Sequence, residues 1–173
     1  MRHLVLALAC SLAPIPSFAQ DPVSRSIAQQ WEGAKENILA SADQMPEGDY
    51  GFTPVPTVRS FGGILAHIAG ANYVFCAAAM GQKSPHAEDH FEKTVKAKPD
   101  VVKALRDSMA YCDKAYQTTD RAVVETVSAP FGGGKMTRAS ALMGNTGHLH
   151  EHYGNLVTYF RLKGMVPPTS RGQ

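Results

Sequence analysis

The stretch Gly147-His148-Leu149-His150-Glu151-His152-Tyr153-Gly154-Asn155-Leu156-Val157-Thr158-Tyr159-Phe160 decides the architecture. Three histidines alternate along it, and in a β-strand all three rings would line one face. The apolar residues refuse that period. Leu149, Tyr153, Leu156 and Phe160 are spaced by four, three and four, which is the stripe of an α-helix. On a helix His148 and His152 stand one turn apart on the same face. His150, about 200° round from His148, points elsewhere and reads as a surface residue or a neighbour of the site. The segment belongs to a long last helix that begins near Thr137 and runs to Leu162 or Lys163, where Gly164 and Pro167-Pro168 end it.

Working outward, the same period recurs three more times. Ile27, Trp31, Ala34, Ile38 and Met45 mark a first helix over about 23–45, stopped by Met45-Pro46-Glu47-Gly48. Pro54 and Pro56 keep the next stretch extended. A second helix is predicted from about 58 to 80, with Phe61, Leu65, Ile68, Asn72 and Phe75 on one face and Ile64, His67, Ala71 and Val74 beside it. Gly81 closes it. The polar segment 82–98 reads as loop. A third helix starts near Pro99-Asp100, where proline is tolerated in a first turn, and buries Val102, Leu105, Met109, Cys112 and Tyr116. Val123–Val127 and Gly132-Gly133-Gly134 suggest a short extended piece and a turn. No repeat or linker divides the chain, so the expectation is an all-α fold, one four-helix bundle.

Composition agrees with one ordinary domain. The chain has 173 residues, 44% hydrophobic and 18% charged, enough to bury a core and too apolar for a disordered chain. Its net charge is +2 with no basic run, so it carries no electrostatic footprint for nucleic acid or an anionic membrane. Arg2 and His3 precede an apolar run, Leu4–Ala13, followed by Pro14, Pro16 and the small-x-small site Ser17-Phe18-Ala19. This is the pattern of a secretory signal peptide, residues 1–19, cleaved after Ala19. The run is roughly half the length of about 20 residues that a spanning helix needs, so no stable membrane anchor is expected. The working domain is then residues 20–173, periplasmic or secreted. Cys10 leaves with the signal. Cys76 and Cys112 stay, in a compartment where a disulfide can persist, although two small buried thiols would fit apolar helices equally well.

Of the seven histidines, five fall in two clusters, and these carry the chemistry. Two imidazoles one helical turn apart can share one metal ion, as in the H-E-x-x-H motif; here Glu151 sits one place too late, and that protease motif is absent. A third ligand must come from another helix. His67 is the candidate, mid-helix on an apolar stripe where an unpartnered imidazole would cost stability. A core histidine bonded to a carbonyl is the plain alternative for His67 alone, but bundles build metal sites from facing helices. His86 and His90 have the same spacing in a polar interhelical segment just after Pro85, where solvated side chains are the favoured reading. No general base is legible: Glu151 is off the face of His148, and Tyr159 is two turns from His152. The metal set is therefore His67, His148 and His152, with catalytic residues unassigned. Imidazole suits zinc, nickel, iron and copper alike, and zinc or nickel is the expected divalent ion.

Three segments taken in order resemble the DinB/YfiT-like superfamily: Arg59-Ser-Phe-Gly-Gly-Ile-Leu-Ala-His67, then His148-x-x-x-His152-Tyr-Gly-Asn155, then Tyr159-Phe-Arg-Leu-Lys-Gly-Met-Val-Pro-Pro168. Gly48-Asp49-Tyr50-Gly51-Phe52-Thr53-Pro54 is similar to that family's lead-in to its second helix, and the likeness spans about 25–168. The resemblance implies an up-down-down-up bundle with a long crossover between helices 2 and 3. It also implies a divalent metal held by one histidine of helix 2 and two of helix 4, at His67, His148 and His152. Family members commonly have Gln where Asn155 stands. In a parallel pair of helices 2 and 3, Cys76 and Cys112 would lie at heights within roughly 8 Å, so the disulfide stays open as an alternative to free thiols.

The function expected is that of a metal-dependent enzyme of hydrolase or thiol-transferase type acting on a small molecule, since some relatives so implied transfer low-molecular-weight thiols to electrophiles. The alternative is a non-catalytic metal-binding or interaction protein of the cell envelope. A homodimer is compatible with either.

Overall fold

The four stripes become four long helices in a computed structural model, which describes residues 21–172. The expected signal peptide, with Cys10, lies outside the described residues. In chain order the elements are α1 (Pro22–Gln44), α2 (Phe61–Ala79), α3 (His90–Thr94), α4 (Lys98–Tyr116), α5 (Asp120–Val123), β1 (Thr126–Ser128), β2 (Lys135–Thr137) and α6 (Arg138–Leu162). The bundle is α1, α2, α4 and α6. Helix starts have visible causes. Pro22 and Pro99 sit in the first turns of α1 and α4. The Ser60 side chain accepts from the Gly63 N–H, and Thr137 accepts from the Ser140 N–H, capping α2 and α6. That Ser60 cap moves the start of α2 from the expected 58 to Phe61. Gly81 and Gly164, at φ +69° and +70°, turn the chain out of α2 and α6.

Contacts fix the helix directions. Asn72 reaches Ser108 and Cys76 bonds to Cys112, so α2 and α4 run parallel. Phe61 packs on Phe160 and His67 meets His148, so α2 and α6 are antiparallel. Ser24 pairs with Asp120, Trp31 with Asp113, and Asp43 with Arg106, so α1 is antiparallel to α4. The course is up-down-down-up, with residues 80–97 crossing between α2 and α4. In the core, Trp31 is fully buried, stacks on Tyr116 at 4.5 Å, and donates its indole N–H to Asp113 at 2.8 Å. α2 has the length and hydropathy of a membrane span, yet 78% of that window is buried by its neighbours, so it is the central helix of the bundle.

Two segments differ from the sequence reading. The crossover is ordered onto the bundle and contains α3. Its approach is very close: a Cβ added at Gly70 would lie 1.8 Å from the Glu88 carbonyl oxygen, so only glycine admits the strand of backbone that passes there. The extended piece after α4 is a short helix followed by an antiparallel hairpin, with Val127 opposite Met136. Its tip holds Phe131 at φ +58°, against the ring of Phe75.

Candidate metal centre

The antiparallel packing of α2 against α6 brings His67, His148 and His152 together. His148 Nε2 lies 3.1 Å from His67 Nε2 and 3.0 Å from His152 Nε2. A ring nitrogen carries either one hydrogen or one in-plane lone pair, so His148 Nε2 cannot make two well-aligned hydrogen bonds to these neighbours. A shared cation resolves the conflict. With metal–nitrogen bonds of about 2.0–2.1 Å, nitrogens on one ion stand about 2.8–3.4 Å apart, depending on geometry. The two separations to His148 fall in that range, and all three ligand atoms lie within 4.8 Å of one another. Among the described residues no fourth His, Cys, Asp or Glu joins the group. The donor set fits a divalent ion.

The surroundings prepare these rings as ligands. Burial, reinforced by the neighbouring histidines, lowers His148 to a pKa of about 3 and His152 to about 4, so both keep a lone pair at neutral pH. His148 lies against Phe75, which the hairpin residue Phe131 covers in turn; its Nδ1 is buried and meets no hydrogen-bond partner among the described residues. His67, at 6% exposure, turns Nδ1 to Glu92 Oε1 at 2.9 Å, with a Glu88 oxygen at 3.8 Å. Glu92 is held by Arg59, Nε to Oε2 at 2.7 Å, and its carboxyl stays below the usual carboxylate range because Arg59 and His67 outweigh its partial burial. Tyr159 donates its hydroxyl to the Arg59 carbonyl at 2.6 Å, fixing that corner.

His152 opens on a cleft of about 790 Å³. Its lining is the largely apolar segment Pro54–Val58 with Ile64, together with Arg59, Glu151, Asn155, Thr158 and Tyr159. Glu151, off the face of His148, thus shares the cleft with His152. The Asn155 amide is 3.5 Å from His152 Nδ1, a long contact. His150 is exposed on the α1 side of α6, beside Ser26 and Gln30, and takes no part. His86 and His90 stack on each other at 4.7 Å, and His86 packs edge-on to Tyr73 at 4.8 Å. The pair is partly exposed, as the sequence reading expects, but its rings also pack against the bundle through Tyr73. Sequence reasoning missed Glu92 and Arg59. Their only signals were Arg59 at the head of the quoted second-helix motif and an acidic residue in the crossover.

The depressed histidines set a pH dependence for chelator-treated protein. Their folded values lie below the unfolded value of about 6.5, so the unfolded chain binds more protons between the two. The stability due to neutral His148 and His152 is present above about pH 6.5 and is lost as pH falls toward 4. The melting temperature should therefore drop across that interval, and more shallowly in a His148→Gln/His152→Gln variant. Parallel profiles for the two proteins would contradict the assignment.

A helical bundle whose central and last helices converge three imidazole nitrogens beside an open cleft defines the class. The sequence model of the DinB superfamily matches residues 30–156; the chain belongs to that superfamily. Among solved structures it is similar in fold to a DinB-like protein from Bacillus cereus, at TM-score 0.70 and 18% identity, covering 83% of this chain and 95% of that one. A DinB family member from Exiguobacterium sibiricum gives TM-score 0.67 at 15% identity, covering 84% and 94%. A mycothiol-dependent maleylpyruvate isomerase gives TM-score 0.63 at 14% identity, covering 77% of this chain and 60% of that chain. No curated protein matches this chain by sequence.

Proposed function

We propose that this protein is an exported metal-dependent enzyme, of hydrolase or thiol-transferase type, that works on a small electrophile with a divalent ion held by His67, His148 and His152. The observation that carries this reading is that His148 Nε2 has the Nε2 atoms of both His67 and His152 at 3.0–3.1 Å, with all three ligand atoms within 4.8 Å of one another. A divalent ion with three imidazole ligands and an open position lowers the pKa of a bound water or thiol toward neutrality.

The chain's own residues do the rest. His148 and His152 are kept neutral by burial, and Glu92 accepts a hydrogen bond from the Nδ1–H of His67. The cleft offers apolar lining at Val55 and Val58 for the body of a substrate. Its polar lining, with Arg59, Glu151 and Asn155, orients the reacting end next to His152. The thiol-transfer branch is supported by the fold shared with a mycothiol-dependent enzyme. Export is supported by the buried Cys76–Cys112 disulfide, a bond that persists in oxidising compartments.

Elemental analysis of untagged mature protein beside a His67→Ala variant tests the centre. Wild type should carry a stoichiometric divalent metal and the variant should lose it. A metal-free wild type, or a variant that keeps its metal, would overturn the reading. Loaded enzyme should then turn over small activated esters or, with a thiol added, epoxides, and His67→Ala should not.

A further inference from the structure

We infer that Glu92 is the positioning residue of the metal centre, and that the crossover carrying it is a clasp coupled to metal binding; this rests on reading the three histidines as that centre. With Nε2 of His67 turned to the other two rings, its proton belongs on Nδ1. Glu92 Oε1 is 2.9 Å from that atom. A carboxylate there fixes the tautomer, stops the ring from rotating and raises its basicity as a ligand.

Glu92 reaches His67 only because the whole crossover is docked. α3 has five residues and none of them is buried, so it has no core of its own. Its place is set from outside. The Glu88 carbonyl lies over Gly70, one turn along α2 from His67. Arg59 grips both Glu92 carboxylate oxygens, at 2.7 and 3.3 Å. Phe91 stacks on Tyr73 of α2 at 5.8 Å. A segment whose helix buries no residue opens before the bundle it docks on unfolds. Undocked, it leaves His67 Nδ1 without its acceptor. Linkage then works in both directions: whatever free energy the docked Glu92 adds to metal binding, bound metal adds to docking.

Zinc affinity, measured by competition with a chromophoric chelator, and trypsin cleavage at the exposed crossover residues Lys83 and Lys93 read the two sides of this coupling. Glu92→Ala should bind zinc about 10–100-fold more weakly with unchanged helicity. Glu92→Gln should recover most of the loss, because its amide oxygen still accepts from Nδ1. Zinc should slow crossover cleavage strongly in wild type and much less in Glu92→Ala. The inference is overturned if Glu92→Ala binds zinc within about two-fold of wild type, well short of the usual effect of such a partner, or if zinc leaves wild-type cleavage unchanged. A wild type that binds no zinc at all removes the three-histidine reading itself, a different result from tight binding that ignores Glu92.

Discussion

A Gly70→Ala variant is expected to keep its helices, melt well below wild type and bind zinc poorly. The methyl group would lie 1.8 Å from the Glu88 carbonyl oxygen and 2.7 Å from its carbon. Both atoms are backbone, so no rotamer change relieves the overlap, and the crossover must lift. Overpacking usually costs about 1–3 kcal/mol and can exceed that where backbone has to move. The consequence reaches the site because Glu88 and Glu92 are carried on the same short segment, so lifting one withdraws the other from His67. Gly33→Ala is the control. It lies in α1 with nothing within 4 Å of the added Cβ, and there alanine should stabilise by roughly 0.5–1 kcal/mol through helix propensity. Circular dichroism melts and zinc titration of both variants check the prediction. A Gly70→Ala protein as stable and as zinc-tight as wild type would show that the crossover does not pass over Gly70.

The same glycine marks the boundary of what the sequence could say. Helical stripes depend on residues three and four apart, so α1, α2, α4 and α6 were legible, as was the pairing of His148 with His152. His67 was legible because a histidine on an apolar face asks for a partner. Glu92 was not, since its contact with His67 spans 25 residues and exists only through the close approach at Gly70. Five residues of α3 are too few to show a period. His86 and His90 had the spacing of a ligand pair, but spacing does not tell whether rings converge their nitrogens or stack, and theirs stack. Glu151 was set aside by its angle from His148 alone; the cleft it lines is defined by His152 and the segment 54–58.

Replacing both Cys76 and Cys112 with alanine should be the most destabilising change that leaves the metal ligands untouched. The two residues lie fifteen and fourteen positions past the starts of parallel α2 and α4, so their heights nearly coincide, closer than the expected boundaries allowed. Their Cα atoms are 5.3 Å apart and both side chains are fully buried. At a sequence separation of 36, loop-closure entropy removed from the unfolded chain amounts to about 4 kcal/mol. In a domain of this size that corresponds to a melting temperature lower by roughly 10–15 °C. The bond spans the crossover, tying together the two helices between which residues 80–97 pass, so its loss also loosens the segment that carries Glu92. Protein made in a reducing cytoplasm should resemble the double variant until it is oxidised. In the native protein neither Cys76 nor Cys112 should titrate as a thiol even with mild reductant, because solvent does not reach their sulfurs, and both should titrate once the protein is unfolded and reduced. Equal urea midpoints for oxidised wild type and the double variant would refute the role assigned to the bond. A larger rise in crossover cleavage by trypsin than in global unfolding would show that the disulfide also holds the clasp shut.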